Sequence, residues 1–218
     1  MSGFRTLELS DPRFESNHLR FMTVKSHHLR GRGDICIFVP PGIAAGEVLP
    51  VVILLHGVYG SAWAWTHSAG VHLRAMEMID RKVIPPMIIA MPSDGLWGDG
   101  SGYVTHNGYH FEKWIAEDVV NALVGNIAGA GADSPLFVAG LSMGGFGALR
   151  IGAKYGRQFK GIAGHSSITN LIQMRLFVEE DLTNYRQQVN VDEDVFSTFQ
   201  QYSDTLPPVR FDCGADDQ

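Results

Sequence analysis

Cysteine is almost missing from this chain. Cys36 and Cys213 are the only two in 218 residues, and they are far apart. That gives no basis for a disulfide framework and points to two reduced, buried thiols. No Cys/His spacing suits a structural zinc site, and the adjacent pair His27-His28 would face opposite sides of a strand. No metal and no cofactor is therefore expected. No apolar run approaches the ~20 residues of a membrane-spanning helix, which argues against a membrane protein. Met1–Pro12 lacks a basic start followed by an apolar core, so no signal peptide is read there and a cytoplasmic protein is expected. Blocks of like charge are absent too, and the net charge of −6 argues against a nucleic-acid partner. Arg30-Gly31-Arg32 reads as a solvated turn rather than a binding patch. With no internal repeat and no linker, residues 1–218 read as one domain.

What is present is an ordinary globular balance, with 45% hydrophobic and 18% charged residues. Phe4–Ser10, Leu19–Ser26 and Asp34–Val39 read as strands of an antiparallel opening meander, the last stopped by Pro40-Pro41-Gly42. Then the pattern changes. Val51–Leu55 is a continuous apolar run, as expected of a parallel strand buried on both faces. Met87–Met91, Leu136–Ala139 and Gly161–Gly164 look alike, and Val209–Cys213 closes the series. Helical patterns lie between them, at Ala69–Arg81 and Phe111–Ile127. The alternation predicts an α/β class: a mostly parallel central sheet, helices on both faces and an antiparallel N-terminal meander. Leu96–His110 is a long loop rich in glycine and aromatics, a length usually reserved for function. Leu171–Thr205 is polar and intermittently helical, a candidate cap.

The chain is organised around Leu136–Arg150. An apolar strand meets Gly140-Leu141-Ser142-Met143-Gly144, and a helix-forming segment follows at once. This is Gly-x-Ser-x-Gly in strand–turn–helix context, the nucleophile elbow of α/β-hydrolases. The turn is too tight for neighbours with a β-carbon, so Gly140 and Gly144 remove the clash. Gly145 lets the helix approach the strand. Ser142 is the candidate nucleophile, and the Met143 N–H lies at a helix N-terminus, where an oxyanion is stabilised. The alternative is a chance match in a glycine-rich chain.

Acyl transfer by serine also needs a base, an acid to orient it and a second oxyanion donor. Three strand ends carry candidates: His56-Gly57, Ser142 and Asp216-Asp217. The turn after His56-Gly57 can lend the Val58 N–H, or it is simply a tight turn after a strand. Asp217 or Asp216 fits the chain order in which the acid follows the nucleophile. The base is the gap, because all nine histidines precede Asp217. His165, at the end of the strand after the elbow helix, is the one surrogate within the chain; its bland alternative is a pocket-wall or core histidine. Missing C-terminal sequence would explain the gap. It would also leave one sheet face without its last helix, exposing apolar surface.

Leu54-Leu55-His56-Gly57, Gly140-Leu141-Ser142-Met143-Gly144-Gly145 and Phe211-Asp212-Cys213-Gly214-x-x-Asp217 together resemble the esterase D family. That family includes S-formylglutathione hydrolases, tributyrin-esterase-like enzymes, and feruloyl or acetyl esterases, with mycolyl transferases more distant. The resemblance runs from about Arg32 to the end of the chain. It implies an α/β-hydrolase fold and a serine carboxylesterase acting on short acyl or aryl esters or thioesters. It also implies Ser142 as nucleophile, Asp217 as acid, and Val58 and Met143 as oxyanion hole. His56, Gly57, Trp97 and His165 are candidate pocket residues, with Trp97 equally readable as a packed aromatic anchor. The family histidine has no counterpart in these residues, which favours as alternatives a catalytically impaired binding protein, or an acyltransferase on the same scaffold. The expected partner is a small-molecule ester or thioester, and the resemblance suits a homo-oligomer.

Overall fold

The computed structural model describes residue 4 and residues 6–217. Its centre is an eight-stranded sheet. Three strands, β1 (Leu7–Leu9), β2 (Leu19–Ser26) and β3 (Gly31–Phe38), form the expected meander, and β3 also runs antiparallel to β5 (Ile88–Pro92). From there the pairing is parallel: β5 with β4 (Val51–Leu55), β4 with β8 (Leu136–Leu141), β8 with β9 (Phe159–His165), and β9 with β10 (Val209–Asp212). The order across the sheet is β1-β2-β3-β5-β4-β8-β9-β10. Part of the predicted first strand, Arg5, lies outside the described residues, as do Met1–Gly3 of the N-terminal segment.

Side-chain alternation along the strands builds two apolar layers. Ile35 and Ile37 of β3 face a large core with Val51, Ile53, Leu136, Val138, Trp114 and Phe146. Their neighbours Cys36 and Phe38 face a smaller one with Ala75, Ile89 and Met91. Helix α4 (Met143–Lys154) covers the first layer and α1 (Val71–Asp80) the second. Helices therefore lie on both faces, as the alternation required. The segment predicted as one helix over Phe111–Ile127 is α2 (Phe111–Lys113) and α3 (Val120–Asn126), joined by a π-helical turn at Trp114–Val119. That widened turn carries Trp114, fully buried against Gly33, whose missing Cβ would otherwise come within 2.5 Å of the indole.

Two expectations need correction. Cys36 is buried, but Cys213 is exposed, because it lies just beyond β10, a strand exposed along its whole length. His27 and His28 sit not on a strand but in the turn between β2 and β3, where the Arg30 N–H closes on the His27 carbonyl. Beyond α1, the second sheet face is thinly covered. Leu141 is exposed there, beside an apolar groove lined by Phe137, Ala139 and Ala163, while Val209 and Phe211, in register with Ile162 and Gly164, are exposed on the opposite face.

The long loop is ordered around a two-stranded hairpin, β6 (Thr105–His106) and β7 (Tyr109–His110), turning at Asn107-Gly108. The predicted cap consists of short 3-10 turns and one α-helix, α5 (Val195–Gln201).

Candidate active site

Ser142 links β8 to α4 with φ +56° and ψ −118°, a backbone state that residues with side chains avoid. The surroundings hold it there. Its N–H donates to the His165 carbonyl at 2.9 Å, and its own carbonyl accepts the Phe146 N–H at 3.1 Å. The turn closes so tightly that a Cβ on Gly140 would lie 2.1 Å from the Gly144 carbonyl oxygen. One on Gly144 would lie 2.3 Å from the Leu55 carbonyl oxygen and 2.5 Å from that of His56. These are backbone atoms and cannot swing aside, so glycine is required at both positions.

The end of β4 lies against this elbow. A Cβ on Gly57 would be 3.5 Å from the Ser142 Cβ and 4.0 Å from its Oγ. The Val58 N–H follows directly, and the Met143 N–H opens α4. Neither finds an acceptor among the described residues. Two amides without an acceptor among the described residues, one at the positive end of a helix dipole, therefore adjoin the elbow.

His56 is buried and is committed to the backbone. Its Nε2 accepts the Asp94 N–H at 3.1 Å, which leaves the proton on Nδ1, and Nδ1 donates to the Gly57 carbonyl at 2.7 Å. With both ring nitrogens used, it fixes the turn that carries Val58. The Tyr103 hydroxyl donates to the His56 carbonyl at 3.1 Å, and burial pushes that hydroxyl well above the usual phenol range. Asp94 is buried and accepts the N–H groups of Leu96 at 2.9 Å and Ser101 at 2.7 Å. Sequence reasoning gave Asp94 and Tyr103 no individual role, placing them only at the ends of a stretch that resembles the family's variable acyl-pocket loop. The available signal was their position, since they bound a loop that starts at the end of a buried strand.

The cap is pinned to this loop. The Asp99 carboxylate accepts the Glu179 N–H, Glu180 accepts the Asp99 N–H, and the Tyr185 hydroxyl donates to the Gly100 carbonyl at 2.8 Å. Tyr59, next to Val58, reaches across to donate to the Phe177 carbonyl. Trp97 is half-buried in an aromatic cluster, edge-on to His106 at 4.5 Å and to Tyr185 at 5.4 Å. The structure thus places Trp97 where the loop meets the cap, in the packed-anchor arrangement.

The remaining candidates lie at the same sheet end, one and two strands over. His165 ends β9 in register with Leu141, and its Nδ1 faces both oxygens of Asp212, at 3.0 and 3.1 Å. The hydrogen bond to His165 holds the Asp212 carboxyl below the usual carboxylate range. Asp212 was another residue that sequence reasoning passed over. Asp217 closes a turn, its Oδ2 accepting the Gly214 N–H at 3.0 Å. The Ser166 hydroxyl, and then that amide, keep its carboxyl below the usual range. Asp216 is exposed in the same turn. Among the described residues, no group of three or more His, Cys, Asp or Glu side chains is placed to hold a metal ion.

Comparison with known proteins gives the family and the fold. The family model described as "Putative esterase" matches residues 26–208. An acetyl esterase of Caldicellulosiruptor saccharolyticus is 26% identical over 190 residues, spanning 78% of this chain and 67% of that protein. The S-formylglutathione hydrolase of Staphylococcus aureus superposes with a TM-score of 0.72 at 15% identity, covering 95% of this chain and 80% of its own. That of Agrobacterium tumefaciens gives 0.68 at 17% identity, over 97% and 79%. The sheet order and these structural neighbours show the α/β-hydrolase fold.

Proposed function

The chain belongs to this esterase family, a family of carboxylic ester hydrolases, and we propose that it hydrolyses short acyl or aryl esters or thioesters through an acyl-enzyme on Ser142. The observation that carries the reading is the serine held at φ +56° beside two amides that have no acceptor among the described residues. In this mechanism the Ser142 Oγ attacks the carbonyl carbon as a base takes its proton, which the base then returns to the departing alcohol or thiol. The developing oxyanion is taken up by the N–H groups of Val58 and Met143, which have no competing acceptor among the described residues. Collapse expels the alcohol or thiol, and water releases the acyl group by the same route in reverse. Asp217 orients the base. Small-molecule esters are the substrate class, and no helix among the described residues is long and apolar enough to cross a membrane.

The base calls for a separate assignment. His56 is excluded by its two backbone bonds. No histidine follows Asp217 in these 218 residues. Among the histidines present, His165 is the one at the sheet edge beside the elbow with a carboxylate on its ring. A second reading therefore gives it the base role, with Asp212 as its partner.

The test is labelling with a fluorophosphonate, followed by peptide mass analysis. The adduct is expected on Ser142 and absent from S142A, whose kcat on p-nitrophenyl esters should fall by on the order of 10⁶. A protein that turns over esters yet never labels at Ser142 overturns the main reading. Full turnover in H165Q overturns only the second. A panel of p-nitrophenyl esters of increasing acyl length, with S-formylglutathione, then defines the substrate. Product analysis with an added alcohol separates hydrolysis from acyl transfer.

A further inference from the structure

The two amides beside Ser142 belong to different elements. Val58 follows β4, and Met143 opens α4. The pairing of β4 with β8 ends at Leu55 and Gly140, so both amides lie beyond the last rung of that ladder. Their spacing therefore depends on what packs against the two elements from outside the sheet.

Tyr103 is fully buried and touches both. On the β4 side its hydroxyl donates to the His56 carbonyl at 3.1 Å, and its ring stands edge-on to the His56 imidazole at 6.0 Å. That carbonyl lies over the elbow, 2.5 Å from where a Cβ on Gly144 would sit. On the α4 side the ring lies on Gly147, where a Cβ would come 2.8 Å from the Tyr103 Cδ2. About one helical turn further along, the Arg150 Nη2 donates to the Tyr103 carbonyl at 3.1 Å. The backbone of Tyr103 is left-handed, at φ +53°, a state that a residue with a Cβ keeps only when its surroundings hold it. Gly100, in the same stretch, also meets both sides: a Cβ there would lie 2.5 Å from the Met143 Sδ and 3.5 Å from the Val58 Cγ1.

On the reading that Ser142 is the nucleophile, we propose that Tyr103 is a positioning residue that sets the spacing of the two oxyanion amides by clamping the end of β4 to α4. The ring alone would fill the core. The hydroxyl does more, because a buried hydroxyl is unfavourable unless it bonds, and this one bonds the turn that carries Val58. Oxyanion donors act over a narrow range of distance, so a small shift of one amide weakens the transition state without weakening substrate binding. The cap braces the clamp from outside, since the Tyr185 hydroxyl bonds the Gly100 carbonyl and Asp192 pairs with Arg150 at 3.2 Å.

Y103F removes the hydroxyl and keeps the ring. Y155F is the control, because Tyr155 caps the far end of α4 and its hydroxyl donates to Glu112 at 3.1 Å, away from the elbow. Each variant gives up one hydroxyl bond, so both should lose a similar amount in urea midpoint. Only Y103F should lose rate. On a p-nitrophenyl ester its kcat and kcat/KM should fall together by about tenfold, with KM within about twofold of the parent. Loss of an oxyanion donor outright costs on the order of 10²–10³, and a displaced donor should cost less. Fluorophosphonate labelling of Ser142 should slow by the same factor. G147A, which presses on the ring and keeps the hydroxyl, should also lower kcat at unchanged KM. Y103F that turns over and labels at the parental rate overturns the clamp, and so does an equal loss of rate in Y155F. A parent chain that never labels at Ser142 overturns the ester reading and the clamp together, which distinguishes it from the first two results.

Discussion

Replacing Asp94 by asparagine tests the idea that the oxyanion turn is held from behind. Asp94 is 2% exposed, and its two carboxylate oxygens accept separate backbone N–H groups, at 2.9 and 2.7 Å. Asparagine keeps one acceptor and turns the other into a donor facing a donor. One hydrogen bond to a charged group is lost, worth about 1.5–3 kcal/mol, and the surviving bond becomes neutral. The expected cost is roughly 2–4 kcal/mol, a large share of the ~5–15 kcal/mol that holds a domain folded. With a urea m-value of ~2 kcal/mol/M, the midpoint should fall by about 1–2 M with m unchanged. The functional consequence follows from the chain of contacts. The Asp94 N–H holds His56 Nε2, His56 Nδ1 holds the Gly57 carbonyl, and the next amide is Val58. Fluorophosphonate labelling of still-folded D94N should therefore slow at least tenfold. D99N is the control, because the Asp99 carboxylate makes one exposed bond, to the Glu179 N–H. It should cost under about 1 kcal/mol. A D94N midpoint within ~0.3 M of the parent refutes the packing argument. A full stability loss with unchanged labelling refutes the coupling to Val58.

Three further outcomes follow from the same contacts. G144A should cost about 3 kcal/mol or more and yield little soluble protein, since its Cβ meets two carbonyl oxygens of the β4 end at 2.3 and 2.5 Å. G42A, also glycine but at φ +78° with open space around it, should cost about 1 kcal/mol in the same denaturation assay. R150M should destabilise by about 3–5 kcal/mol, because Arg150 is fully buried and pairs with Glu112 at 2.8 Å and Asp192 at 3.2 Å. Adding E112L to it should recover part of the loss, read from the urea midpoint. Stability should also fall in two steps on acidification. Burial lowers the folded values of His72, His106 and His110 from 6.5, so the unfolded chain takes up those protons first. That contribution is whole above pH 6.5 and is lost as pH drops through the folded values. Arg150 and Lys154 outweigh burial to depress Glu112 from 4.5, which adds a second loss below that pH. Melting temperatures at a series of pH values check both steps, and a flat profile between pH 7.5 and 5 refutes the first.

The strand pattern was readable because each strand repeats one physical rule. β4 is apolar at every position since helices cover both its faces, and β3 alternates cores at Ile35, Cys36, Ile37 and Phe38. The elbow was readable for another reason: a backbone state closed to most residues leaves glycines as its trace, at Gly140 and Gly144. What escaped notice is what acts through partners far along the chain. Asp94 reads as one polar residue in a Pro-Ser-Asp-Gly turn, and only the fold brings His56 to its amide. Tyr103 reads as an aromatic in a glycine-rich loop, yet its hydroxyl supports a strand end 47 residues back. Asp212 looked like the edge of a strand until β9 set His165 beside it. The π-helical turn at Trp114–Val119 left no periodic signature, because one widened turn barely shifts a 3.6-residue pattern. Residues that touch the reacting group answer to local rules, and motifs record them. Residues that hold those groups in place answer to the tertiary path, so their substitution is the sharper check on whether this site was read correctly.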